Sequence, residues 1–320
     1  MVKRVGVLTS GGDAPGMNAA IRAVIRAGII NGLRMYAIFE GYKGLIDDDI
    51  IEVDRTFVSE ILMRGGTILR SARLKEFKEE AYQLKAIEIL KSHKIDALVV
   101  IGGDGTYRGG LDLAKHGINV IGIPATIDND IASSDFTIGF DTCLNTIVQS
   151  VDKLRDTTSS HQRCSIIEVM GNTNGDLALY GGTACGVDLI LSPEYNPPME
   201  EVINKLRHIR MNRARHALVL VSEKLIPDLE GFASEIRQKT GFDTRVEVLG
   251  RLQRGGSPSA SDRVLAARLG VKAIDLLLEG KSGHAVGIVN NQITSFPFEQ
   301  ALTMKKKSGI ELINVISTLK

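Results

Sequence analysis

Short apolar runs rich in β-branched residues alternate along the chain with longer segments in which apolar residues recur every three or four positions. The short runs predict buried β-strands, and the longer segments predict amphipathic helices. The predicted strands begin at Val5, Met35, Asp96, Asn119, Cys164, Asp188, His216 and Val246. The predicted helices include residues 17–30, 77–93, 141–159, 200–211 and 261–280. This alternation indicates an α/β protein whose mainly parallel sheets are covered by helices on both faces.

The length of the chain predicts two lobes. It has 320 residues, and a domain typically takes roughly 150. We expect two Rossmann-like lobes with the active site in the cleft between them. The larger lobe comprises residues 1–138 and takes in part of 252–305, the smaller lobe comprises residues 139–251, and residues 306–320 form a C-terminal helix.

Composition and charge narrow the class of partner. Apolar residues make up 43% of the chain, charged residues 24%, and the net charge is +1, so no overall field attracts nucleic acid or a membrane surface. No apolar stretch approaches the ~20 residues that span a bilayer. The three cysteines, Cys143, Cys164 and Cys185, show no C-x-x-C spacing. They are predicted to be free packing thiols in a reducing cytoplasm, and the expected partner is a small molecule.

Glycine-rich and polar stretches follow several predicted strands, where ligands bind in open α/β sheets. The first is SGGDAPGMN, with the glycine spacing of a P-loop from Gly11 to Gly16. Met17 and Asn18 stand where that motif requires Lys and Ser or Thr, so the P-loop interpretation fails. Paired glycines before a helix still favour an anion. The alternative is a tight strand-to-helix turn.

The second stretch is GGDGTYRGG, residues 102–110. It is not a dinucleotide fingerprint, because Arg108 replaces the third glycine counted from Gly103. Glycines on both sides of Asp104 would let the backbone approach a polyphosphate. A carboxylate facing phosphates requires a divalent cation between them, and Mg²⁺ binds through one or two carboxylates plus phosphate oxygens. Asp104 is therefore the candidate metal ligand; the alternative is a helix cap.

The third stretch, PATIDND from Pro124 to Asp130, follows the next predicted strand. Phosphoryl transfer to an alcohol needs a base near the hydroxyl, a metal ion and cations on the transferred group. Two nearby carboxylates can divide the first two tasks. We assign Asp128 as the general base and Asp130 as support for the metal. The alternative is a plain turn, because Thr, Asp and Asn favour turns and caps.

These motifs, together with RGGTILRSAR, LRDTTSSHQR, EVMG, VSE and VLGRLQRGGSPSASDRVLA, resemble those of bacterial ATP-dependent 6-phosphofructokinases over essentially the whole chain. GGDGT alone is shared with lipid and NAD kinases, whereas TIDND with the later motifs is specific. The resemblance implies that the larger lobe binds ATP. It also implies ATP-dependent phosphorylation of the 1-hydroxyl of fructose 6-phosphate, a glycolytic reaction, with Mg²⁺ and in a cytoplasmic homotetramer.

The resemblance also assigns residues to each ligand. ATP and its magnesium would contact Gly12, Tyr42, Arg73, Gly103, Asp104, Gly105, Thr106 and Gly109. The reacting hydroxyl of the sugar would meet Thr126, Asp128 and Asp130, and Arg73 would assist catalysis. The sugar phosphate would be held by Met170, Gly171, Glu223, Arg251 and Arg254, and by Arg163 and Arg245 of a neighbouring subunit.

A second anion site is indicated by Arg22 and Arg26, which lie one helical turn apart and repel each other. The resemblance implies an allosteric site where ADP or GDP activates and phosphoenolpyruvate inhibits. Its residues would be Arg22, Arg26, Arg55, Ser59, Arg155, Asp188, Arg213, Arg215 and His216. Thr56, Asn212 and Ala214 replace residues often found there, so we expect a weakened or altered effector response. The alternative is a solvated basic surface.

Other positions at which this chain can be compared with the family pattern bear on the reaction itself. Gly105 and Ala125 favour ATP, because pyrophosphate-using relatives tend to carry Asp and Lys at these positions. Asn172 and Arg251 stand where an arginine and a histidine are usual in the family, which could lower the rate. Two alternatives therefore stay open. One is a low-turnover sugar-phosphate sensor, and the other is a kinase that uses pyrophosphate or another ketose phosphate, such as tagatose 6-phosphate.

Overall fold

The computed structural model describes residues 2–212, 216–307 and 309–319. The strands are β1 (Arg4–Ser10), β2 (Arg34–Ile38), β3 (Ile50–Val53), β4 (Ala97–Gly102), β5 (Asn119–Pro124), β6 (Cys164–Val169), β7 (Leu189–Leu191), β8 (Ala217–Ser222), β9 (Thr244–Val248), β10 (His284–Val289) and β11 (Gln292–Pro297). The helices are α1 (Met17–Ile30), α2 (Gly41–Ile46), α3 (Glu80–Ser92), α4 (Asp104–Lys115), α5 (Phe140–Ser160), α6 (Asp176–Cys185), α7 (Met199–Met211), α8 (Leu229–Thr240), α9 (Ala260–Leu278), α10 (Phe298–Thr303) and α11 (Glu311–Leu319). Two 3₁₀ helices occupy Lys75–Lys78 and Gly250–Arg254.

The chain divides into two compact units. Unit 1 comprises Met1–Thr142 and Arg254–Lys306, and unit 2 comprises Cys143–Gln253 and Lys307–Lys320. Both units are discontinuous because the chain passes from unit 1 to unit 2 and back, and then ends in unit 2. That the lobe boundaries lie at the residues expected from the sequence stays a prediction.

The sheet of unit 1 is mainly parallel. Among the described residues its strand order is β11-β10-β5-β4-β1-β2-β3, and only the edge strands β3 and β11 pair antiparallel with their neighbours. One face is covered by α2, α3, α4 and α10, in a core that includes Leu8, Leu98, Leu90 and Phe298. On α9, Gly270 allows close packing against α1, since a Cβ there would lie 2.6 Å from the Cβ of Ala23.

The sheet of unit 2 is smaller and wholly parallel in the described residues, with the order β7-β8-β6-β9. Its strands β6 and β8 carry buried aliphatic residues such as Ile166 and Val219, which pack against Leu206 of α7 and Ile236 of α8. Helices α6 and α11 also belong to this unit. The predicted fold class, mainly parallel α/β sheets flanked by helices, is confirmed.

Three strands were not among the predicted ones. β3 is a short edge strand, and β10 and β11 form a hairpin whose turn is Asn290–Asn291, both at positive φ. An Asn-Asn turn lacks the glycine that makes a hairpin conspicuous in a sequence. The C-terminal helix begins only at Glu311, so it fills part of the predicted span 306–320.

Two composition-based expectations can be compared with the structure. All three cysteines are free and buried, as predicted. Across the helices in the described part of the chain, none combines the length and apolar character that a bilayer crossing demands.

Candidate functional site

Three loops of unit 1 leave the sheet side by side. In the parallel ladders Ser10 of β1 pairs with Gly102 of β4, and Gly102 pairs with Pro124 of β5. Neighbouring strands lie about 4.8 Å apart, so the segments after these three residues begin in one row. The GGD, GGDGT and PATIDND stretches therefore emerge at the same carboxyl edge of the sheet, as the sequence predicted.

The first loop is tied to its neighbours by its backbone oxygens. The Thr106 hydroxyl donates to the Ser10 carbonyl at 3.0 Å, and the Ser71 hydroxyl donates to the Gly11 carbonyl at 2.7 Å. Gly12 lies under the guanidinium of Arg254, whose Nη1 would be 2.7 Å from a Cβ at that position. Arg254 also donates to the Asp13 carbonyl at 3.1 Å. Arg254 was expected to hold the sugar phosphate, and the structure places it in unit 1 beside this loop.

The second loop turns directly into α4, with Gly103 as its N-cap and Asp104 in its first turn. The first N–H groups of a helix have no intrahelical acceptors and favour an anion. A Cβ at Gly105 would meet no heavy atom within 4 Å, so the space over this helix start is open. Glycine at this position leaves room there for a ligand.

Asp104 fits the role of a magnesium ligand in this setting. Its carboxylate is half-exposed and forms an ion pair with Arg108 at 2.7 Å, one turn along α4. Such an exposed pair is worth only about 0.3–0.5 kcal/mol, so a divalent cation can displace it. No cluster of three His, Cys, Asp or Glu side chains suited to a metal occurs in the described ranges. Mg²⁺ held by one or two carboxylates, phosphate oxygens and water needs no such cluster.

Tyr42 packs against α4 at Gly109 and is hydrogen-bonded to its first turn. The Tyr42 hydroxyl donates to the Thr106 carbonyl at 2.6 Å, and its ring stacks on Phe77 with centroids 4.2 Å apart. A Cβ at Gly109 would come within 2.6 Å of the Tyr42 ring. Burial raises the pKa of Tyr42, which keeps the phenol protonated. The hydrogen bond of Tyr42 and its close packing at Gly109 therefore hold the start of α4 in position.

The third loop is the acidic turn, residues 126–130. Thr126, Asp128 and Asn129 are buried, Asp130 is partly exposed, and Asn129 has φ of 50°. The Thr126 hydroxyl accepts a 3.2 Å hydrogen bond from the Asp128 N–H. A Cβ at Gly103 would lie 3.9 Å from the Cβ of Thr126. The acidic turn thus begins next to the loop that carries Asp104.

A following segment braces the acidic turn. The Thr137 hydroxyl donates to the Thr126 carbonyl at 2.6 Å, and the Thr137 N–H donates to the Asn129 side-chain oxygen at 3.0 Å. The Asn129 amide donates to the Asp135 carbonyl at 3.2 Å. These bonds fix the backbone on both sides of Asp128. Arg73, the expected catalytic cation, is exposed just before the 3₁₀ helix Lys75–Lys78.

In unit 2 three of the candidate sugar-phosphate residues, Met170, Gly171 and Glu223, meet at the carboxyl edge of the smaller sheet. Val169 of β6 pairs with Ser222 of β8, so Met170 and Glu223 follow neighbouring strand ends. Asn172 donates its backbone N–H to a Glu223 carboxylate oxygen at 2.8 Å. Gly171 has φ of 138°, a conformation that favours glycine. The segment 170–172 therefore sits against Glu223.

Arg163 and Arg245 lie at the other end of these strands. Arg163 immediately precedes β6, and both arginines pair with Asp243, at 2.7 Å and 3.3 Å. Arg163 holds the pKa of Asp243 below its ordinary value through this hydrogen bond, helped by Arg245. The six residues of β6, at about 3.3 Å each, separate Arg163 from Met170. The structure does not bring these arginines to Met170 within one chain.

Arg251, the remaining sugar-phosphate candidate, is exposed on the 3₁₀ helix Gly250–Arg254. Gln253 on the same helix is fully buried, and its side-chain oxygen accepts from the Met170 N–H at 3.1 Å. Gln253 therefore fixes the start of the 170–172 segment. In the sequence Gln253 lies within the VLGRLQRGGSPSASDRVLA motif, and no local pattern there indicates this contact.

The predicted effector residues of unit 1 form a basic cluster, defined here as Arg22, Arg26 and Arg55. Burial first, and then the charges of the other two arginines, lower the pKa of Arg26, while Glu60 opposes this effect. Within the described residues the buried Nε of Arg26 has no hydrogen-bond partner. Ser59, four residues after Arg55 in the chain, is exposed. A desolvated group of like charges is suited to an anion.

The predicted effector residues of unit 2 lie near the amino ends of its strands. Arg155 donates to the Cys185 carbonyl, and an Asp188 carboxylate oxygen accepts from the Leu218 N–H at 2.9 Å. His216 directly precedes β8. Arg213 and Arg215, with Ala214 between them, lie outside the described residues.

Two residues outside the predicted set adjoin the candidate sites in ways that the sequence hardly signals. Thr137 braces the acidic turn from eleven residues away, and Lys224 donates to the Asn172 side-chain oxygen at 2.7 Å. Lys224 directly follows the VSE motif, and this position after a motif was the available signal. Nothing local marks Thr137.

Comparison with known proteins places these sites in a family context. The phosphofructokinase family profile matches residues 4–277. The chain is 50% identical over 321 residues to the ATP-dependent 6-phosphofructokinase of Clostridioides difficile strain 630, covering 99% of this chain and 100% of that relative. It is 52% identical over 301 residues to the enzyme of the same name from Shouchella clausii strain KSM-K16, covering 94% of each.

Solved structures give the same result for the fold. The chain matches phosphofructokinase from Saccharomyces cerevisiae with a TM-score of 0.90 and 32% identity, covering 98% of this chain and 50% of that longer chain. It matches a pyrophosphate-dependent phosphofructokinase from Marinobacter aquaeolei with a TM-score of 0.85 and 23% identity, covering 97% of this chain and 86% of the other. At that identity the second match shows a shared fold.

Proposed function

Because the chain belongs to the phosphofructokinase family, we propose that it transfers the γ-phosphoryl group of ATP to the 1-hydroxyl of fructose 6-phosphate, with Asp128 as the general base. The observation that carries this assignment is the register of β4 and β5. Gly102 pairs with Pro124, so Asp104 and Asp128 follow neighbouring strand ends at one edge of the sheet. Relatives about 50% identical over nearly the full chain carry the name ATP-dependent 6-phosphofructokinase.

Asp128 takes the proton of the 1-hydroxyl as its oxygen forms a bond to the γ-phosphorus. The bond from that phosphorus to the bridging oxygen of ATP breaks, and ADP leaves with the electron pair. The acidic turn suits this role because Thr137, Thr126 and Asn129 fix the backbone around Asp128. A base must be held within hydrogen-bond reach of the proton that it removes.

Unit 1 supplies the nucleotide side of the reaction. The free N–H groups at the start of α4 and the space at Gly103 and Gly105 leave room for phosphates, and Gly12 lies beside the guanidinium of Arg254. Mg²⁺, when bound, neutralises charge on the phosphates and on the transferred group. Asp104 would hold it, with Asp130 in support. Thr106, Gly109 and Tyr42 keep the helix start in position, and Arg73 would bind the transferred group.

Glycine at position 105 favours ATP over pyrophosphate as the phosphoryl donor. The space around its Cα is open, and an acidic side chain there would project into the region proposed for the nucleotide. The sequence resemblance associates that acidic residue with pyrophosphate users. By the same resemblance, Ala125 also favours ATP as the donor, because pyrophosphate users tend to carry lysine at that position.

Unit 2 supplies the acceptor side. Met170, Gly171 and Glu223 would hold the sugar, with Arg251 as a cation for its phosphate; the resemblance also assigns Arg254, which belongs to unit 1, to that phosphate. Arg163 and Arg245 lie at the opposite edge of the unit 2 sheet from Met170, so we propose that they serve a neighbouring subunit of a homotetramer. A chain that remains monomeric by light scattering at assay concentration would contradict this assembly.

The basic cluster Arg22, Arg26 and Arg55 is proposed to bind an anionic effector, together with Ser59, Arg155, Asp188 and His216. Nucleoside diphosphates would activate and phosphoenolpyruvate would inhibit, with a response weakened by the replacements at Thr56 and Asn212. An Arg26→Ala variant is expected to lose any shift that ADP or phosphoenolpyruvate produces in the sugar-phosphate saturation curve. A shift that survives in this variant would place the effector elsewhere.

A coupled assay of fructose 1,6-bisphosphate formation tests the proposed function. The purified chain should turn over with Mg²⁺, ATP and fructose 6-phosphate, and should be at least tenfold slower with pyrophosphate or with tagatose 6-phosphate. Faster turnover with pyrophosphate would overturn the donor assignment. Tight binding of fructose 6-phosphate without product would instead identify a sugar-phosphate sensor.

A further inference from the structure

Lys224 occupies a specific place beside the acceptor residues of unit 2. Its ammonium group donates to the Asn172 side-chain oxygen at 2.7 Å, and the Asn172 N–H donates to Glu223 at 2.8 Å. Glu223 is in turn anchored by its own N–H, which donates to the Val169 carbonyl at 2.7 Å. Hydrogen bonds therefore connect Lys224 to the proposed sugar-binding carboxylate through a single intervening residue.

The backbone at Lys224 is not one that lysine prefers. Lys224 has φ of 65°, and it occupies the third position of a turn in which the Leu225 N–H donates to the Ser222 carbonyl at 3.3 Å. Glycine or asparagine normally fills a turn position with positive φ. Non-glycine residues held in such conformations concentrate at functional sites, where the surrounding structure maintains them. The surrounding turn therefore holds Lys224 in a conformation that lysine does not favour.

Carboxylates near this turn would repel a phosphate, so a phosphate that binds there requires a nearby cation. Glu223 and Glu168 lie close enough that the charge of Glu223, after burial, raises the pKa of Glu168. Two carboxylates repel a phosphorylated ligand, and a nearby ammonium group offsets that repulsion. Among the described residues, no carboxylate lies within ion-pair distance of the Lys224 ammonium. One of its three N–H donors is used by Asn172, which leaves two for a ligand.

We propose that Lys224 binds the phosphate of the sugar substrate, with Asn172 as the residue that positions its ammonium group. This proposal rests on the proposed function, because it takes the ligand of the Met170 to Glu223 edge to be a phosphorylated ketose. Lys224 is connected through Asn172 to Glu223, a proposed sugar-binding residue. The sugar phosphate is therefore the ligand that we assign to it.

Two variants of Lys224 test the proposal without depending on a fragile fold. Lys224→Met removes the charge, and Lys224→Gly removes it while relieving the positive-φ backbone, so the second variant should melt at or above the temperature of the wild type. In both, KM for fructose 6-phosphate should rise roughly tenfold, as expected for loss of a charge-assisted hydrogen bond. KM for ATP and kcat should change less than twofold. Lys224→Arg should recover most of the affinity.

A binding measurement makes the test independent of turnover. Calorimetry without ATP should show the same loss of fructose 6-phosphate affinity in Lys224→Gly, and the loss should shrink as salt rises. Asn172→Ala should weaken binding less, because the ammonium group loses its tether but keeps its charge. Lys91→Met, at an exposed lysine near the end of α3, controls for a general charge effect and should match the wild type.

The outcomes separate this inference from the proposed function. Unchanged fructose 6-phosphate affinity in Lys224→Gly would overturn the assignment of Lys224 while leaving the kinase intact. A fall in kcat with unchanged KM would also overturn it, because the cation would then serve the transferred group. Absence of turnover in the wild type would contradict the proposed function itself.

Discussion

The hydroxyl of Thr137 donates a 2.6 Å hydrogen bond to the carbonyl oxygen of Thr126, eleven residues earlier in the chain. Both residues are buried. The bond closes the segment 126–137 behind the acidic turn, so the position of Asp128 depends on a residue that lies outside the PATIDND motif.

Thr137→Val should therefore lower kcat. The substitution keeps the shape of the side chain but leaves the buried Thr126 carbonyl without this donor, which costs about 1–3 kcal/mol of stability. A slight displacement of Asp128 should lower kcat roughly 10- to 100-fold, with little change in KM for ATP. Steady-state kinetics and a melting curve measure the two effects. Thr303→Val, at an exposed threonine of α10, is the matched control, and equal kcat in both variants would show that the brace has no effect on catalysis.

Gly105→Asp should weaken ATP binding without damaging the fold. A Cβ at Gly105 meets no atom within 4 Å, and a carboxylate in the first turn of α4 is favourable for the helix dipole. KM for ATP should rise at least tenfold because the added charge occupies the space proposed for phosphates. The melting temperature should stay within a few degrees of the wild type. Normal use of ATP by this variant would contradict the placement of the nucleotide at α4.

Gly109→Ala, four residues further along the same helix, should instead destabilise the protein. A Cβ at Gly109 would lie 2.6 Å from the buried ring of Tyr42, which is stacked on Phe77. Overpacking of this kind costs about 1–3 kcal/mol. Gly105→Ala is the control, since the same chemical change in open space should be neutral or stabilising. Equal melting temperatures for the two variants would disprove the close contact with Tyr42.

Asp243 should contribute to stability only above acidic pH. The hydrogen bond from Arg163 lowers the pKa of Asp243 below its ordinary value of 3.8. A depressed pKa means that the stabilisation is complete above the unfolded-state value and is lost as pH falls through the folded-state value. The melting temperatures of the wild type and Arg163→Met should therefore differ at pH 6 and converge as the pH falls below the ordinary Asp value of 3.8. A difference that grows on acidification would contradict this coupling.

Much of the fold could be read from the sequence because strand-end loops carried strong local signals. The runs that form β1, β4 and β5 are apolar and β-branched, and the glycine-rich or acidic stretches directly follow them. Parallel strands present such stretches at one edge, which is why GGDGT and PATIDND could be assigned to a common edge before their pairing was known.

The rest of the candidate site depends on contacts between residues that are distant in sequence, which no local pattern encodes. Gln253 supports Met170 from 83 residues away, and Thr137 reaches Thr126 only after the chain turns back. Lys224 faces Asn172 because β6 and β8 are neighbours although β7 lies between them in sequence. The separation of Arg163 from Met170 likewise becomes visible only when the direction of β6 is fixed by the sheet.

The most direct test of the account is the rate of fructose 1,6-bisphosphate formation by Asp128→Asn, measured beside its binding of fructose 6-phosphate and ATP. Asparagine preserves the size of the side chain and removes the base. We predict a loss of at least 10²-fold in kcat, with both ligands bound within a few-fold of the wild type. Turnover near the wild-type rate would contradict the assignment of Asp128 as the residue that accepts the proton of the sugar.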